Sequence, residues 1–382
     1  MKILTVDIGT GTQDIFLYDS QLDIENGFKL VVPSPTMIVH RQVKAATQSH
    51  TPILLTGVMM GGGPSAWAVE AHARAGLPAY ATPEAAKTLD DELDKVRARG
   101  IEIVSDDEAA TLPDSVQRIQ FLDFNLPALE AAFSPFGVDL SKLDAIAVAV
   151  FDHGDAPAGY SDRQFRFDYL NERICAKNSL SSFAFLSENI PPIMTRLQAV
   201  AQSAHGLDCP LVVMDTAPAA VLGASLDPIV AARGRKIIVN IGNFHTLAFR
   251  MGEDIEGVFE HHTGEIDLQK LESLLMRLAD GSLKHQDVFD DMGHGALMYD
   301  SSEFAFGTDD FDIVVTGPRR SMMRSTGNRL RPYFAVPFGD MMIAGCFGLL
   351  AAVADVLPEL SEPIRASLQS NGGKGTAPWD AQ

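Results

Sequence analysis

KILTVDIGTGTQDIFLYD, at residues 2–19, predicts a strand, a tight polar turn and a second strand. The turn consists of Gly9, Thr10, Gly11 and Thr12. Its glycines let the backbone turn sharply and leave room for a phosphate, while its N–H and hydroxyl groups can form an anion-binding nest. Asp7 ends the first strand at this nest, where its carboxylate could hold Mg²⁺ through water. An ordinary hairpin with a glycine-rich turn would account for the same residues.

A second stretch, KIIVNIGNFHTLAFR at residues 236–250, repeats the pattern in the second half of the chain. An apolar strand again ends at a small polar residue, Asn240, and a turn with Gly242 and Asn243 leads into another strand. Two such hairpins, each opening one half of the chain, predict two similar domains that face one ligand. We expect these domains at residues 1–232 and 233–365, followed by a polar tail at residues 366–382.

The paired hairpins resemble those of the actin-like ATPase superfamily, which includes actin, the heat-shock chaperone ATPases and the sugar kinases. Three later segments resemble parts of this superfamily in the expected order. DTAPAAVLGAS at residues 215–225 and IAGCFG at 343–348 resemble its two linking helices, and DIVVTGPRR at 312–320 resembles its adenosine-binding turn. The resemblance implies an α/β fold in which two ribonuclease H-like domains flank a nucleotide cleft.

The resemblance also implies a Mg-dependent, ATP-binding protein with ATPase or small-molecule kinase activity in that cleft. The implied phosphate and base contacts are Gly9, Thr10, Gly11, Thr12, Asn240, Gly242, Asn243 and Gly317, and the implied metal residues are Asp7 and Asp215. Asn240 stands where the superfamily commonly has Asp, and Thr316 precedes Gly317 where two glycines are usual, so contacts there would be altered. Catalysis would come mainly from positioning and charge neutralisation.

A candidate catalytic residue, Asp152, follows a long apolar run at residues 144–151. This run predicts a central strand that is covered on both faces and holds its end residue rigidly. Ligands of open α/β sheets bind beyond the carboxyl ends of the strands. A carboxylate there could act as general base towards a water or a substrate hydroxyl group. The alternative is an Asp that only caps the following loop.

Two other functions fit parts of the sequence. Actin-like folds often use their cleft as a switch, so the chain could be a nucleotide-gated protein that acts on a protein partner. Separately, GGGPSA at residues 61–66 matches a G-x-G-x-x-A pattern between a predicted strand and helix, which favours an NAD-type dinucleotide site. The acidic residue expected at the end of the next strand is poorly placed, because Glu84 follows Pro83 at a helix start.

Within the superfamily the sequence is similar to a bacterial and archaeal family whose members are often labelled pyruvate formate-lyase activating proteins. Enzymes that generate a glycyl radical with S-adenosylmethionine need three cysteines, spaced CxxxCxxC, to hold an iron–sulfur cluster. The cysteines of this chain are Cys175, Cys209 and Cys346. They lack that spacing, so we do not expect a radical S-adenosylmethionine activase.

Four histidines invite a metal interpretation, namely His153, His261, His262 and His294. Imidazoles beside Asp152 or Asp291 could bind Zn²⁺ or Fe²⁺. However, His261 and His262 are adjacent on a predicted strand and would point to opposite faces. None of the four shows HxH or HxxxH spacing. We therefore expect histidines in the cleft to contact substrate and not a transition metal.

Composition limits the classes of partner. The 382 residues suffice for two hydrophobic cores, and a hydrophobic fraction of 46% is typical of a globular chain. A net charge of −20 argues against nucleic acids and anionic membranes, which need clustered Lys and Arg. ATP stays compatible, because backbone N–H groups and Mg²⁺ bind its phosphates. Without a signal-peptide pattern or a membrane-length apolar run, we expect a cytoplasmic protein that binds a nucleotide and a small molecule or protein partner.

Overall fold

The first predicted hairpin lies in a six-stranded sheet of the computed structural model, which describes residues 1–369 and 375–380. Numbered in chain order over the whole chain, the strands of this sheet are β1 (Lys2–Ile8), β2 (Thr12–Asp19), β3 (Phe28–Pro33), β8 (Ala145–Val150), β9 (Ala184–Leu186) and β10 (Leu211–Asp215). Their order is β3-β2-β1-β8-β10-β9. β1 pairs antiparallel with β2 and parallel with β8, and β8 pairs parallel with β10. The register of the hairpin sets Asp7 directly opposite Asp14.

The second predicted hairpin lies in another six-stranded sheet. Its strands are β11 (Lys236–Ile241), β12 (His245–Met251), β13 (Ile255–His262), β14 (Gly295–Met298), β15 (Ile313–Thr316) and β16 (Pro332–Phe334), in the order β14-β13-β12-β11-β15-β16. β11 pairs antiparallel with β12 and parallel with β15, and β15 pairs parallel with β16. Asn240 is therefore flanked by Leu247 on one side and by Thr316 on the other.

Both sheets contain the same arrangement of strands. In each sheet, three consecutive strands pair antiparallel. Two further strands pair parallel next to the first of the three, namely β8 and β10 next to β1, and β15 and β16 next to β11. This arrangement is that of a ribonuclease H-like unit, and two such units make up the actin-like ATPase fold. The fold class predicted from the two hairpins is confirmed.

A third sheet of four strands is inserted between β3 and β8. Its strands are β4 (Ile53–Gly57), β5 (Ala79–Ala81), β6 (Glu102–Ile103) and β7 (Gln117–Phe121), all parallel and in the order β6-β5-β4-β7. Parallel neighbours need a crossover connection, usually a helix, so the inserted unit is a small α/β layer of its own. The strand predicted before residues 61–66 is β4, but a separate sheet was not predicted from the sequence.

Helices cover the sheets and connect their strands. In chain order they are α1 (Pro35–Gln48), α2 (Pro64–Arg74), α3 (Pro83–Ala86), α4 (Leu93–Ala98), α5 (Asp106–Thr111), α6 (Leu126–Phe133), α7 (Asp162–Ala176), α8 (Thr195–Ser203), α9 (Thr216–Ala224), α10 (Pro228–Ala231), α11 (Leu268–Asp280), α12 (His285–Phe289), α13 (Ala344–Val356) and α14 (Pro358–Gln369). α11 begins after Asp267, whose carboxylate caps the helix by accepting the Lys270 N–H at 2.8 Å. No helix in the described part of the chain is long and apolar enough to cross a membrane.

The predicted linking helices are α9 and α13. α9 follows β10 on the way to the second sheet, and α13 returns from the second sheet to the first. There Cys346, Phe347 and Leu350 pack in one core with Ile3 and Phe16 of the first hairpin. α13 therefore packs on the sheet that contains the first hairpin.

The positions of the helices and sheets do not fix the boundary between the two domains. The division between residues 232 and 233 stays a prediction. The chain passes from the first sheet to the second between β10 and β11. The polar tail predicted at residues 366–382 begins inside α14, which ends at Gln369. Residues 370–374 and 381–382 lie outside the described residues.

Candidate functional site

A cavity of about 1020 Å³ opens at the strand ends, and both predicted turns reach it. This size is at the upper end of the roughly 300–1,000 Å³ of small-molecule sites. The predicted residues that line it are Asp7, Gly9, Thr10, Thr12, Asp152, Asn240, Gly242, Asn243 and Gly317. Of the other two predicted residues, Gly11 touches the opposite turn and Asp215 lies behind the wall, as described below. We call this cavity the cleft.

The two predicted turns have the same internal hydrogen bond. The Gly9 N–H donates to the carbonyl of Thr12 at 2.9 Å, and the Gly242 N–H donates to the carbonyl of His245 at 2.9 Å. The turns also meet, because a Cβ on Gly11 would overlap the side-chain amide nitrogen of Asn243. The structure therefore brings together two turns that lie in different halves of the sequence.

The predicted adenosine turn joins them. Gly317 follows β15 with φ +96°, in the left-handed region that favours glycine. A Cβ there would overlap the side-chain oxygen of Asn240, so these two predicted residues also meet. The Arg319 N–H donates to the carbonyl of Ile241 at 3.0 Å and fixes this turn to β11.

Asp7 and Asp14 form a pair of buried carboxylates at the base of the first turn. Both line the cleft, and they are 8% and 9% exposed. Asp7 accepts a hydrogen bond from Thr216 Oγ1 at 2.6 Å, whereas Asp14 Oδ1 has no hydrogen-bond partner among the described residues. Burial raises the pKa of Asp7 to about 6, and burial together with the neighbouring Asp7 charge raises the pKa of Asp14 to about 8.

This pair fits a divalent cation. A buried carboxylate oxygen without a partner is costly, and two facing carboxylates repel each other. A cation between or beside them would remove both costs, and Mg²⁺ is commonly held by one or two carboxylates together with water and substrate phosphates. Asp14 was missed in the sequence, although the register of a hairpin closed at residues 9–12 places it opposite Asp7.

Asp152 lies at the end of β8, as predicted, and is 3% exposed. Its Oδ1 accepts the Gly154 N–H at 2.8 Å, and its Oδ2 accepts the Leu197 N–H at 2.9 Å. Burial raises its pKa above the usual value. These contacts are those of a loop cap, but the residue also lines the cleft, so its role as general base stays a prediction.

The Asp215 carboxylate already has hydrogen-bond partners within the protein. Its carboxylate caps α9 by accepting the Ala217 N–H at 3.0 Å, and it accepts a hydrogen bond from Arg166 Nη1 at 2.6 Å. Arg166 is fully buried, and its Nε donates to Glu260 Oε2 at 2.7 Å. Because Asp215 is in the first sheet and Glu260 in the second, Arg166 joins the two units. The metal role predicted for Asp215 stays a prediction.

Three histidines meet at the wall of the cleft where the two sheets approach each other. His153 follows β8, His245 begins β12 and His294 precedes β14, and one ligand atom of each lies within 4.8 Å of the others. His153 Nε2 and His294 Nε2 are 3.3 Å apart. His245 Nε2 and His294 Nδ1 are buried and have no hydrogen-bond partner in the part of the chain that the structure describes. We call these residues the histidine cluster.

Burial lowers the pKa of each histidine in the cluster, which favours the uncharged form. Burial, reinforced by the nearby Arg166 charge, lowers the pKa of His153 to about 3. Burial also lowers the pKa of His245 and of His294 well below the ordinary value. Neutral imidazole is the form that binds metal ions. Of the other histidines considered in the sequence, His261 is 3.2 Å from the Asp291 carboxylate.

The glycine loop at residues 61–63 also lines the cleft, between β4 and α2. The Gly61 N–H donates to Asp123 Oδ1 at 3.2 Å, and Asp123 is ion-paired with Arg196 at 2.7 Å. The preceding Met60 N–H donates to Thr88 Oγ1 at 3.0 Å. Two N–H groups at the start of the loop therefore already have protein acceptors, which makes them unavailable to a dinucleotide phosphate.

The three cysteines do not meet. Cys175 is exposed, Cys209 half-buried and Cys346 buried. Among the residues that the structure describes, the one group with metal-ligand spacing contains histidines alone. The chain's own cysteines therefore do not supply the three thiolates of an iron–sulfur cluster.

Two ribonuclease H-like units with facing glycine turns at a shared cleft define a protein of the actin-like ATPase fold. Residues 60–322 match the profile of the family described as "Putative pyruvate format-lyase activating enzyme (DUF1786)". The chain belongs to this family, as its sequence resemblance predicted.

Three solved structures are among those similar to the chain. They are a ROK hexokinase from Thermus thermophilus (12% identity, TM-score 0.23, 66% of this chain and 47% of that chain), the ethanolamine utilization protein EutJ from Carboxydothermus hydrogenoformans (10%, 0.29, 91% and 89%) and an exopolyphosphatase-like protein (8%, 0.24, 83% and 66%). The chain spans less than half the length of the hexokinase. Likenesses of this size support no conclusion about activity. No curated protein was similar enough in sequence to be matched with this chain.

Proposed function

We propose that the chain binds Mg–ATP in the cleft and transfers the terminal phosphoryl group to water or to the hydroxyl group of a small molecule. The observation that carries this proposal is the buried Asp7–Asp14 pair beneath two facing glycine turns. An oxygen of Asp14 that finds no partner among the described residues supports a cation at this point. The turns beside it supply the backbone N–H groups that phosphates need.

Each part of the site has a role in this proposal. The turn at residues 9–12 and the turn around Gly242 would bind phosphate oxygens, and the Gly317 turn would lie along the adenosine. Asp7 and Asp14 would hold Mg²⁺ directly or through water, and the ion would neutralise phosphate charge. Thr216 orients Asp7 through its hydrogen bond at 2.6 Å. Asp152 would accept the proton of the attacking hydroxyl group.

Calorimetric titration with Mg²⁺ and a non-hydrolysable ATP analogue tests the proposal. We expect Asp14→Asn to weaken binding by about 10–100-fold, the range known for residues that support a bound metal. Asp254→Asn is the matched control. It makes the same chemical change at an exposed position between β12 and β13. Its affinity should equal that of the wild type.

The outcomes separate the candidate functions. If the folded wild-type protein gives no heat with ATP, ADP or GTP at millimolar concentration in the presence of Mg²⁺, the proposal is wrong. If it binds Mg–ATP but neither hydrolyses it nor phosphorylates a small molecule, phosphoryl transfer is excluded. The nucleotide-gated switch that acts on a protein partner then takes its place.

A further inference from the structure

The side chains of the histidine cluster have no role in the phosphoryl transfer proposed above. Its members come from three segments, one in the first sheet and two in the second. His294 is fully buried, whereas His153 and His245 line the cleft. Three imidazoles that converge from separate segments need a physical reason.

One pair of nitrogens has the spacing of ligands around a metal ion, and the third histidine lies near both. Two nitrogens bound to a tetrahedral Zn²⁺ at about 2.0–2.1 Å lie roughly 3.3 Å from each other. His153 Nε2 and His294 Nε2 are 3.3 Å apart, and the ligand atom of His245 is within 4.8 Å of both. A small movement of one side chain would complete a three-nitrogen set.

A hydrogen bond between neutral His153 and His294 would explain the 3.3 Å distance alone. It leaves His245 Nε2 buried without a partner among the described residues. It also leaves the convergence of the third ring unexplained, since a buried polar nitrogen without a partner destabilises the fold. A metal ion accounts for all three rings at once.

Glu260 provides the outer support that such sites have. Its Oε1 lies 3.5 Å from His294 Nδ1, without hydrogen-bond geometry, and its Oε2 is fixed by Arg166 Nε at 2.7 Å. Metal-binding histidines usually turn their second nitrogen towards a carboxylate, which orients the ring. Arg166 is itself paired with Asp215 as well as Glu260, so two carboxyl groups face its positive charge next to the cluster.

We propose that His153, His245 and His294 bind one divalent transition-metal ion of the zinc type. Three protein ligands leave a tetrahedral ion with one open position. Because His153 and His245 line the cleft, that position faces the cleft, where it would take a water molecule or an anionic oxygen of a bound ligand. This proposal differs from the expectation from sequence spacing that cleft histidines contact substrate, and that expectation stays a prediction. The chemistry of imidazole suits Zn²⁺, Fe²⁺, Ni²⁺ and Cu²⁺ and not Mg²⁺.

Titration of chelator-treated, full-length protein with Co²⁺ tests the site, since Co²⁺ bound by four or five ligands absorbs visible light. We expect one Co²⁺ per chain and its displacement by one equivalent of Zn²⁺. Loss of a residue that only supports a metal ligand weakens binding by about 10–100-fold. We expect His153→Gln and His245→Gln each to weaken Co²⁺ binding by more than this. Far-ultraviolet circular dichroism checks that the variants are folded.

Two control variants make the test specific. His262 lies beside the cluster, 4.7 Å from His294 between ring centroids, but its Nδ1 is bonded to the Met292 carbonyl at 2.7 Å. We expect His262→Gln to bind Co²⁺ like the wild type, and a large loss there would contradict the ligand assignment. Asp14→Asn should also keep Co²⁺, which separates this site from the Mg–ATP site. Folded wild-type protein that takes up neither Co²⁺ nor Zn²⁺ at micromolar concentration would overturn the proposal.

Discussion

Asp152 shows how one carboxylate can hold a loop at the edge of the cleft. Each of its oxygens accepts a backbone N–H, from Gly154 at 2.8 Å and from Leu197 at 2.9 Å. Asn has nearly the same shape but a single acceptor oxygen, because its other end is an NH₂ donor. In Asp152→Asn one of the two buried N–H groups would therefore lose its partner.

We expect Asp152→Asn to lower the free energy of unfolding by about 1–3 kcal/mol, the cost of an unsatisfied buried donor. Urea denaturation of wild type and variant measures this loss. Asp139→Asn is the control, since Asp139 is exposed and also accepts a backbone N–H, from Ser141 at 2.8 Å. If Asp152 is also the general base, ATP turnover falls about 10²–10⁴-fold while Mg–ATP affinity is kept. A variant as stable as the wild type would show that the two hydrogen bonds do not hold the loop.

Single residues were predictable where a motif fixes them and unpredictable where tertiary contacts do. The motif around Asp7 predicted that this residue lies in the cleft. The register of the hairpin would have been enough to predict Asp14 there as well. His245 could not be found in this way, because it meets His153 and His294 only after two sheets have packed together. Asp215 follows a strand as predicted, but its buried partner Arg166 lies on α7, which no spacing rule connects to it.

The crossing of α9 and α13 is the closest contact between helices that link the two units. A Cβ on Gly223 would overlap the carbonyl oxygen of Ala344, and a Cβ on Gly348 would overlap that of Ala219. These overlaps involve backbone atoms, which cannot move aside as a flexible side chain can. The helices must therefore carry glycine at both positions to keep this distance.

We expect Gly223→Ala to destabilise the protein by about 1–3 kcal/mol, the usual cost of overfilling a packed contact. The added methyl group would force α9 away from α13, and thermal unfolding monitored by calorimetry measures the effect. Gly234→Ala is the matched control, because a Cβ at Gly234 meets no atom within 4 Å and its φ is not in the left-handed region. Equal melting temperatures for the two variants would contradict the close crossing.

Elements were predictable in proportion to the strength of their local pattern. Both long hairpins and the amphipathic α11 follow from alternating or helical apolar spacing, and the structure contains all of them. The inserted sheet was not recognised, because β5 and β6 have only three and two residues. Strands that short take their place from neighbouring strands and not from their own sequence.

At the scale of the whole molecule, the buried Arg166 side chain joins the two units. Its guanidinium group bonds Asp215 of the first sheet at 2.6 Å and Glu260 of the second at 2.7 Å. It also stacks on Phe151, with 3.9 Å from Arg166 Cζ to the ring centroid. A fixed contact between movable parts is what a hinge requires, so ligand-dependent movement is expected away from Arg166.

Trp67 links the inserted unit to the second unit. It lies on α2, is 53% exposed, and its ring centroid is 5.8 Å from that of Phe244. Phe244 belongs to the second predicted phosphate turn and lines the cleft. A ligand held by this turn must therefore change the surroundings of Trp67, whose fluorescence depends on neighbouring rings and water.

Because Trp379 is the other tryptophan of the chain, Trp379→Phe leaves Trp67 as the sole reporter. We expect Mg–ATP to change the emission of this variant in a saturable manner, with the same dissociation constant that calorimetry gives. Phe244→Leu should reduce the amplitude, since it removes the aromatic partner, but keep the affinity within a few-fold. The complementary Trp67→Phe protein, which keeps Trp379, should show no change. The opposite result would be a response in Trp67→Phe and none in Trp379→Phe. It would mean that the ligand acts near Trp379, and that the contact between α2 and the second turn does not take part in binding.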